Sequence, residues 1–332
     1  MNHSVPPPPD IAPDLSVVIV NWNTRDLVAQ CLESLGIRPD GALPALANWD
    51  PAQLPTHMTI EVKVVDNGST DSSVEMIKAR FPLVHLLENQ ENVGFARANN
   101  QAIRECKGRY VLLLNPDTKL RPGALKNLVN FISAYPHAAA VAPRLLNPDG
   151  TLQPSCHPAP TLFGELWQLF HLDAFWPHGV YTMRNWDVEN PREVDVVQGA
   201  CVLLRRSALD QVGLLDEDYF MYSEEVDLCL RLRRVGWSLY WVPKAEVIHY
   251  GGQSTRQVAA KMFLQLYRSK VHYFRKHHGW LTAQAFKLIV TCATLVRLSL
   301  SPIAWLGRFP QRERHLTLAV QYLRLLRALP QY

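Results

Sequence analysis

"VVDNGSTDSS", Val64 to Ser73, is the stretch on which the fold reading turns: an apolar run ends on a carboxylate and is followed by small hydrogen-bonding residues around one glycine. Taken alone, Asp66 to Ser69 make a turn and Ser69 or Thr70 caps a following helix. The flanking sequence widens that meaning. "LSVVIV" precedes "TRDLVAQCLESL", "EVKVV" precedes "VEMIKAR", "LVHLL" precedes "GFARANNQAIREC", and "RYVLLL" precedes "GALKNLVNFISAY". Short apolar runs alternating with helical spacing predict a βα repeat and a mostly parallel sheet with covered faces. The fold class is therefore α/β.

In such sheets the carboxyl ends of the strands form the ligand crevice. The first strand leaves through Val20, Asn21 and Asn23, the second through Asp66, and the fourth through Asn115 and Asp117. Turns explain each exit singly; their convergence points to a site. The chain carries neither G-x-G-x-x-G after a strand nor a P-loop, so a bound phosphate needs other neutralisation. Asp117 can hold Mg²⁺ or Mn²⁺, which bridge carboxylates to substrate phosphates. A nucleoside diphosphate carrying a leaving group is the natural ligand.

A chain of 332 residues with 48% apolar content can bury a full core. The start, "MNHSVPPPPDIAPD", has neither a basic lead nor an apolar core, and residues 1–14 read as a mobile proline-rich leader. Six cysteines without a C-x-x-C pair argue against a zinc site and a disulfide framework, which fits a reducing cytosol. Residues 36–57, with four prolines, read as an inserted loop.

Charge is divided unevenly. From Arg256 onward there are 13 Lys and Arg against one acid, Glu313, while Met1–Thr255 holds 21 basic and 29 acidic residues. The tail is expected to face something anionic. Its segments "FKLIVTCATLVRLSL" and "LTLAVQYLRLLRAL" have the composition of interfacial helices, which favours a membrane surface over nucleic acid, with a helical cap packed on the rest of the protein as the alternative. Between Lys287 and Arg297 only nine residues are uninterrupted, so the tail is expected to lie on the membrane without crossing it.

The motifs "SVVIVNWN", "VVDNGSTD", "NVGFARANN", "LLLNPDT", "VVQGACVLLRR", "DEDYFMYSEEVDLCLRLRRVGW" and "VIHYGG" follow one another from Leu15 to Arg256. In that order they resemble the inverting glycosyltransferases of family 2, with the GT-A fold, and most of all their rhamnosyltransferase branch. The resemblance implies a catalytic domain over 15–256 and a helical C-terminal region over 257–332. It implies a nucleotide-sugar donor, dTDP-L-rhamnose or a UDP-sugar, and a saccharide acceptor, lipid-linked as in relatives that build bacterial surface polysaccharide on the cytoplasmic side of the membrane. Asp66 is then expected to read the pyrimidine N3–H, with Val20, Asn21 and Asn23 in the same pocket and Asn92, Gly94 and Asn99 closing over the nucleotide. Asp117 takes the place of the metal-binding acid of the family's D-x-D motif, and Asn115 replaces its first acid.

For the family's E-D-x-D pattern the sequence offers Glu224, Glu225 and Asp227, with Glu225 as general base. Glu225 stands where the pattern has aspartate, and Ser223 where it has glycine. Capping of a helix N-terminus accounts for the same acids without catalysis. His249 is expected as a metal or diphosphate contact, and Gln198 and Gly199, with Glu224 and Asp227, on the acceptor side. The aromatic-rich stretch 151–191 is expected to cover that side. A nucleotidyltransferase is a rival reading, but "NWNTRD" lacks the glycine-rich loop expected of one. A noncatalytic protein of the same fold is another, and the joint presence of Asp66, Asp117, the acidic cluster and His249 counts against it.

Overall fold

The computed structural model describes residues 13–37, 58–304 and 309–332. The leader up to residue 12 and most of the 36–57 insertion fall outside the described residues. The apolar runs form β1 (Leu15–Asn21), β2 (Ile60–Asp66), β3 (His85–Glu88) and β4 (Tyr110–Leu114). Between them lie α1 (Arg25–Ser34), α2 (Ser73–Arg80) and α3 (Phe95–Glu105). All seven residues of β1 are buried because both faces of the sheet are covered. Alternation sends Val17 and Ile19 into one core and Val18 and Val20 into the other.

The chain continues through β5 (Thr118–Leu120), α4 (Ala124–Ala134), β6 (Ala138–Leu146), β7 (Cys156–His157), α5 (Leu162–Leu169), β8 (Arg192–Val194) and β9 (Val196–Val197). It then forms β10 (Cys201–Arg205), α6 (Arg206–Val212), α7 (Glu224–Arg234) and β11 (Ser238–His249). The main sheet runs β3-β2-β1-β4-β10-β6-β11-β5, with β8 added on β11. The block β3-β2-β1-β4 is parallel, as the βα repeat requires. Past it, β10 is antiparallel to both β4 and β6, and β5 is antiparallel to β11.

Among the described residues the chain closes through α8 (Gln253–Arg256), α9 (Ala259–His278), α10 (Trp280–Ala304) and α11 (Phe309–Ala328), followed by a short 3-10 turn. Tyr267, Val271, Tyr273 and Phe274 of α9 are buried in the same core as Val18, Ala98 and Val226 of β1, α3 and α7. The helical region expected from residue 257 onward thus shares its core with the sheet.

Lys287 and Arg297 interrupt the apolar run but not the helix, and Trp280–Ser299, with mean hydropathy 1.4, is long and apolar enough to cross a membrane by length and composition. Two long basic side chains fit such a helix because their stems lie along apolar surface. Ala283, Phe286, Val290 and Ala293 nevertheless pack inward, while Leu281, Leu288 and Leu295 stay exposed at seven-residue spacing.

Candidate active site

Parallel register sets Asn21 beside Asp66 and Ile19 beside Leu114, so the exits of β1, β2 and β4 lie together. A cavity of about 200 Å³ opens there, lined by Val20, Trp22, Asn67, Asn92, Asn115 and Asp117. Phe95 and Phe220 add aromatic walls, and Lys261 of α9 brings a positive charge. Trp22, which the sequence analysis did not single out, stands between Asn21 and Asn23 at the same exit. Lys261 gave no local signal, because it reaches the cavity only through the packing of α9.

The other sequence candidates divide. Asp66 is buried and is not among the lining residues; its oxygens accept from Asn21 Nδ2 and the Ser69 backbone N–H, both at 2.9 Å. A carboxylate has about four acceptor sites, so capacity for a further donor remains. Asn21 and Asn23 brace the exits: Asn21 also donates to Ser69 Oγ at 3.2 Å, and Asn23 Oδ1 accepts the Thr70 N–H at 2.7 Å. Asn99 is buried within α3 and donates to the Phe95 carbonyl, so it does not reach the cavity. Gly94 has φ 92°, and a Cβ there would stand 2.6 Å from the Phe220 carbonyl oxygen, a close approach that glycine alone permits.

Antiparallel pairing of β5 with β11 puts His249 opposite Thr118, directly after Asp117. His249 Nε2 lies 3.3 Å from Asp117 Oδ1, and both residues are buried. That nitrogen has no hydrogen-bond partner, and neither does Asn115 Oδ1. The other ring nitrogen is committed: Nδ1 donates to Gln153 Oε1 at 2.6 Å. Gln153 is oriented in turn by donating to Asn147 Oδ1 at 2.9 Å. With the proton on Nδ1, a neutral imidazole turns the Nε2 lone pair toward the carboxylate. Two acceptors facing one another in a buried place suit a shared cation, and an outer hydrogen bond that fixes the tautomer is the usual support for a histidine ligand. Asp117, His249 and Asn115 therefore fit a divalent metal. Gln153, which sequence reasoning missed, sits within a stretch that has no periodic pattern.

A second cavity, about 380 Å³, is lined by Gln198, Tyr222, Ser223 and Glu225, with His157 and Lys270 among the others. The two cavities adjoin. Met221 lines the first and Tyr222 the second, and a Cβ on Gly199 would lie 3.8 Å from Glu225 Cβ and 3.9 Å from the Phe95 ring. Tyr222 and Ser223 take φ of 69° and 68°. Two successive non-glycine residues in that region store strain of a kind found at functional sites, and it falls where the family pattern carries glycine.

Three acids in the first turn of α7 have different fates. Burial pushes the carboxyls of Glu224 and Glu225 above the ordinary glutamate range, and the Glu225 charge raises Glu224 further. His157 works the other way on Glu225. One oxygen of each, Oε2, is buried without a partner. Asp227 does not line either cavity. Burial alone would raise it, but Lys276 and Arg231 hold it below the usual range, at 2.6 and 2.7 Å, with His277 Nε2 at 2.6 Å. It is a structural anion that ties α7 to α9. A further acidic group, Asp216 with Asp218 and His272, already has the Lys276 ammonium 2.6 Å from Asp216.

Residues 16–213 match the family model described as glycosyl transferase family 2. The chain belongs to that family. This glycosyltransferase is 36% identical, over 68% of its length and 78% of the relative's, to N-acetylglucosaminyl-diphospho-decaprenol L-rhamnosyltransferase of Mycobacterium tuberculosis. It is 26% identical to rhamnosyltransferase WbbL of Escherichia coli, over 55% of its length and 70% of that protein's. Among solved structures it resembles the mannosyltransferase PcManGT from Pyrobaculum calidifontis in complex with GDP-Man and Mn²⁺, with TM-score 0.54, 16% identity, and 95% of this chain and 85% of that one covered. That likeness bears out the GT-A fold.

Proposed function

We propose that the protein is a metal-dependent inverting transferase that moves L-rhamnose from dTDP-L-rhamnose to a hydroxyl of a lipid-linked saccharide at the cytoplasmic face of the membrane. The observation that carries this reading is the buried Asp117–His249 pair, with an unpartnered nitrogen, at the first cavity, with Glu225 lining the second cavity next to it. The transferred sugar is supported by the names of both rhamnosyltransferase relatives, and the lipid-linked acceptor by the name of the mycobacterial one.

In the proposed reaction the first cavity holds the nucleotide, with Trp22 and Phe95 against the base and ribose and Lys261 toward the diphosphate. Asp117 and His249, with the side-chain oxygen of Asn115, would hold Mg²⁺ or Mn²⁺, which would supply charge neutralisation for the departing diphosphate. Glu225 takes the proton of the acceptor hydroxyl as its oxygen attacks the anomeric carbon. The bond from that carbon to the diphosphate oxygen breaks, and its electron pair leaves with the nucleotide. One displacement inverts the centre, so a β-L-rhamnosyl donor yields an α-L-rhamnoside. NMR of the product's anomeric carbon tests this, and a β-linked product contradicts it.

Two predictions follow from the support around these groups. Gln153→Leu is expected to weaken Mn²⁺ binding by ~10- to 100-fold, the usual cost of losing a histidine's outer partner. Titration of the metal without donor checks it, and unchanged affinity removes Gln153 from the account. The raised Glu225 carboxyl places the acidic limb of kcat/KM above the ordinary glutamate pKa of about 4.3, with activity rising as the base ionises. The sign for stability is opposite: a protonated buried carboxyl stabilises fully below the ordinary value, and that contribution is lost as pH rises through the raised one. A pH profile of kcat/KM with its limb at or below the ordinary value contradicts the assignment.

Membrane placement rests on the exposed Leu281, Leu288 and Leu295 of α10 and on the excess of Lys and Arg over acids from Arg256 onward. Because α10 also buries an inner face, it is read as lying on the surface. Deleting everything after Arg256 would remove core residues of α9, so surface changes are the cleaner test. The intact protein is expected to float with vesicles containing anionic lipid, less so at high salt, and Leu281→Asp/Leu288→Asp/Leu295→Asp is expected to stay behind. Equal flotation of both, or of neither, contradicts membrane docking by this face.

A further inference from the structure

The second cavity holds a charged pair that the reaction does not use. Lys270 of α9 donates to both carboxylate oxygens of Glu165 in α5, at 2.8 and 2.7 Å. Glu165 is 5% exposed, and both residues line the cavity that Glu225 enters. Burying an ion pair costs desolvation, and apolar residues would hold α5 on α9 at least as well. A pair kept in a cavity wall instead offers hydrogen-bonding capacity there: the carboxylate can accept from a hydroxyl, and the ammonium retains a third N–H to donate.

We infer that Glu165 and Lys270 form the acceptor-selecting end of this cavity and recognise the hydroxyls of an uncharged sugar ring. This rests on the reading of Glu225 as the base acting in the same cavity. Charge decides the ligand class. Glu165 cancels Lys270, and Glu225 adds a carboxylate, so a phosphate gains nothing by entering. A volume of about 380 Å³ lies within the ~300 to 1,000 Å³ of ligand sites and is large enough to admit a sugar ring. Tyr181 and Tyr222 line the cavity with Glu165 and Lys270.

The test is saturation-transfer NMR on the full chain with two probes, uncharged phenyl N-acetylglucosaminide and anionic N-acetylglucosamine 1-phosphate. Wild-type protein is expected to prefer the uncharged glycoside. Glu165→Gln keeps the side chain's shape but leaves the Lys270 charge uncancelled, so preference should shift toward the phosphate by at least ~10-fold, as for a charged hydrogen bond gained or lost. Lys270→Met should weaken glycoside binding by a similar factor, and thermal unfolding of each variant reports its fold. If Lys270→Met does not fold, the near-isosteric Glu165→Gln decides alone. A wild-type preference for the phosphate, or an unchanged preference in Glu165→Gln, overturns the assignment, since a pair that only joins two helices has no reason to set ligand charge. Nucleoside diphosphate release by the wild-type protein tests the reaction separately, so either reading can fail while the other stands.

Discussion

Asp117→Asn is expected to lower sugar transfer by more than ~10²-fold, beyond the 10- to 100-fold that loss of an outer partner costs a metal site. The change is nearly isosteric. Asparagine's carbonyl can still accept the Gln253 N–H, which reaches Asp117 Oδ2 at 3.3 Å, and the Asp117 backbone carbonyl still takes the Tyr250 N–H. The fold should therefore survive, and what disappears is the negative charge facing His249 Nε2. Transfer assays paired with thermal unfolding check both halves. A folded variant with full activity would falsify the metal role of Asp117.

Glu225→Gln is expected to reduce turnover by ~10²- to 10⁴-fold, the span attributed to a general base, with donor affinity little changed. Its neighbour two residues on should behave differently. Asp227→Asn takes a charge from a buried cluster and leaves Arg231, Lys276 and His277 without their shared partner, so its main effect should be a lowered unfolding temperature. Donor affinity and turnover measured on both variants separate the roles. Should Asp227→Asn abolish turnover in a stable protein while Glu225→Gln does not, the base has been assigned to the wrong acid.

The parallel half of the sheet was legible because each strand is a compact apolar run and each helix keeps its spacing; β1 to β4 and α1 to α4 appear where the periodicities put them. The strand exits were legible for the same reason, since a carboxylate after four buried residues has few purely structural readings. Which exit residues face the ligand was not. Asn67 lines the cavity and Asp66 does not, a distinction set by one turn's geometry. His249 could be suspected from its place after a strand, yet its meeting with Asp117 depends on the β5–β11 pairing, a contact across 132 positions with no local trace. Glu225 and Asp227 separate because each residue of a helix turns about 100°, so positions two apart point to nearly opposite sides: Glu225 faces the cavity and Asp227 the core. Residues 151–191 carry short elements without sustained periodicity, so Gln153 and Glu165 became visible only once the chain was folded.

The most direct test of the central claim is nucleoside diphosphate release by the intact protein from a panel of dTDP- and UDP-sugars, in the presence of membrane lipid extract, after stripping with a chelator and again after Mn²⁺ is restored. The account predicts release from dTDP-L-rhamnose that vanishes on stripping and returns with the metal. Full release from the stripped protein, or release from UDP-sugars alone, would contradict it.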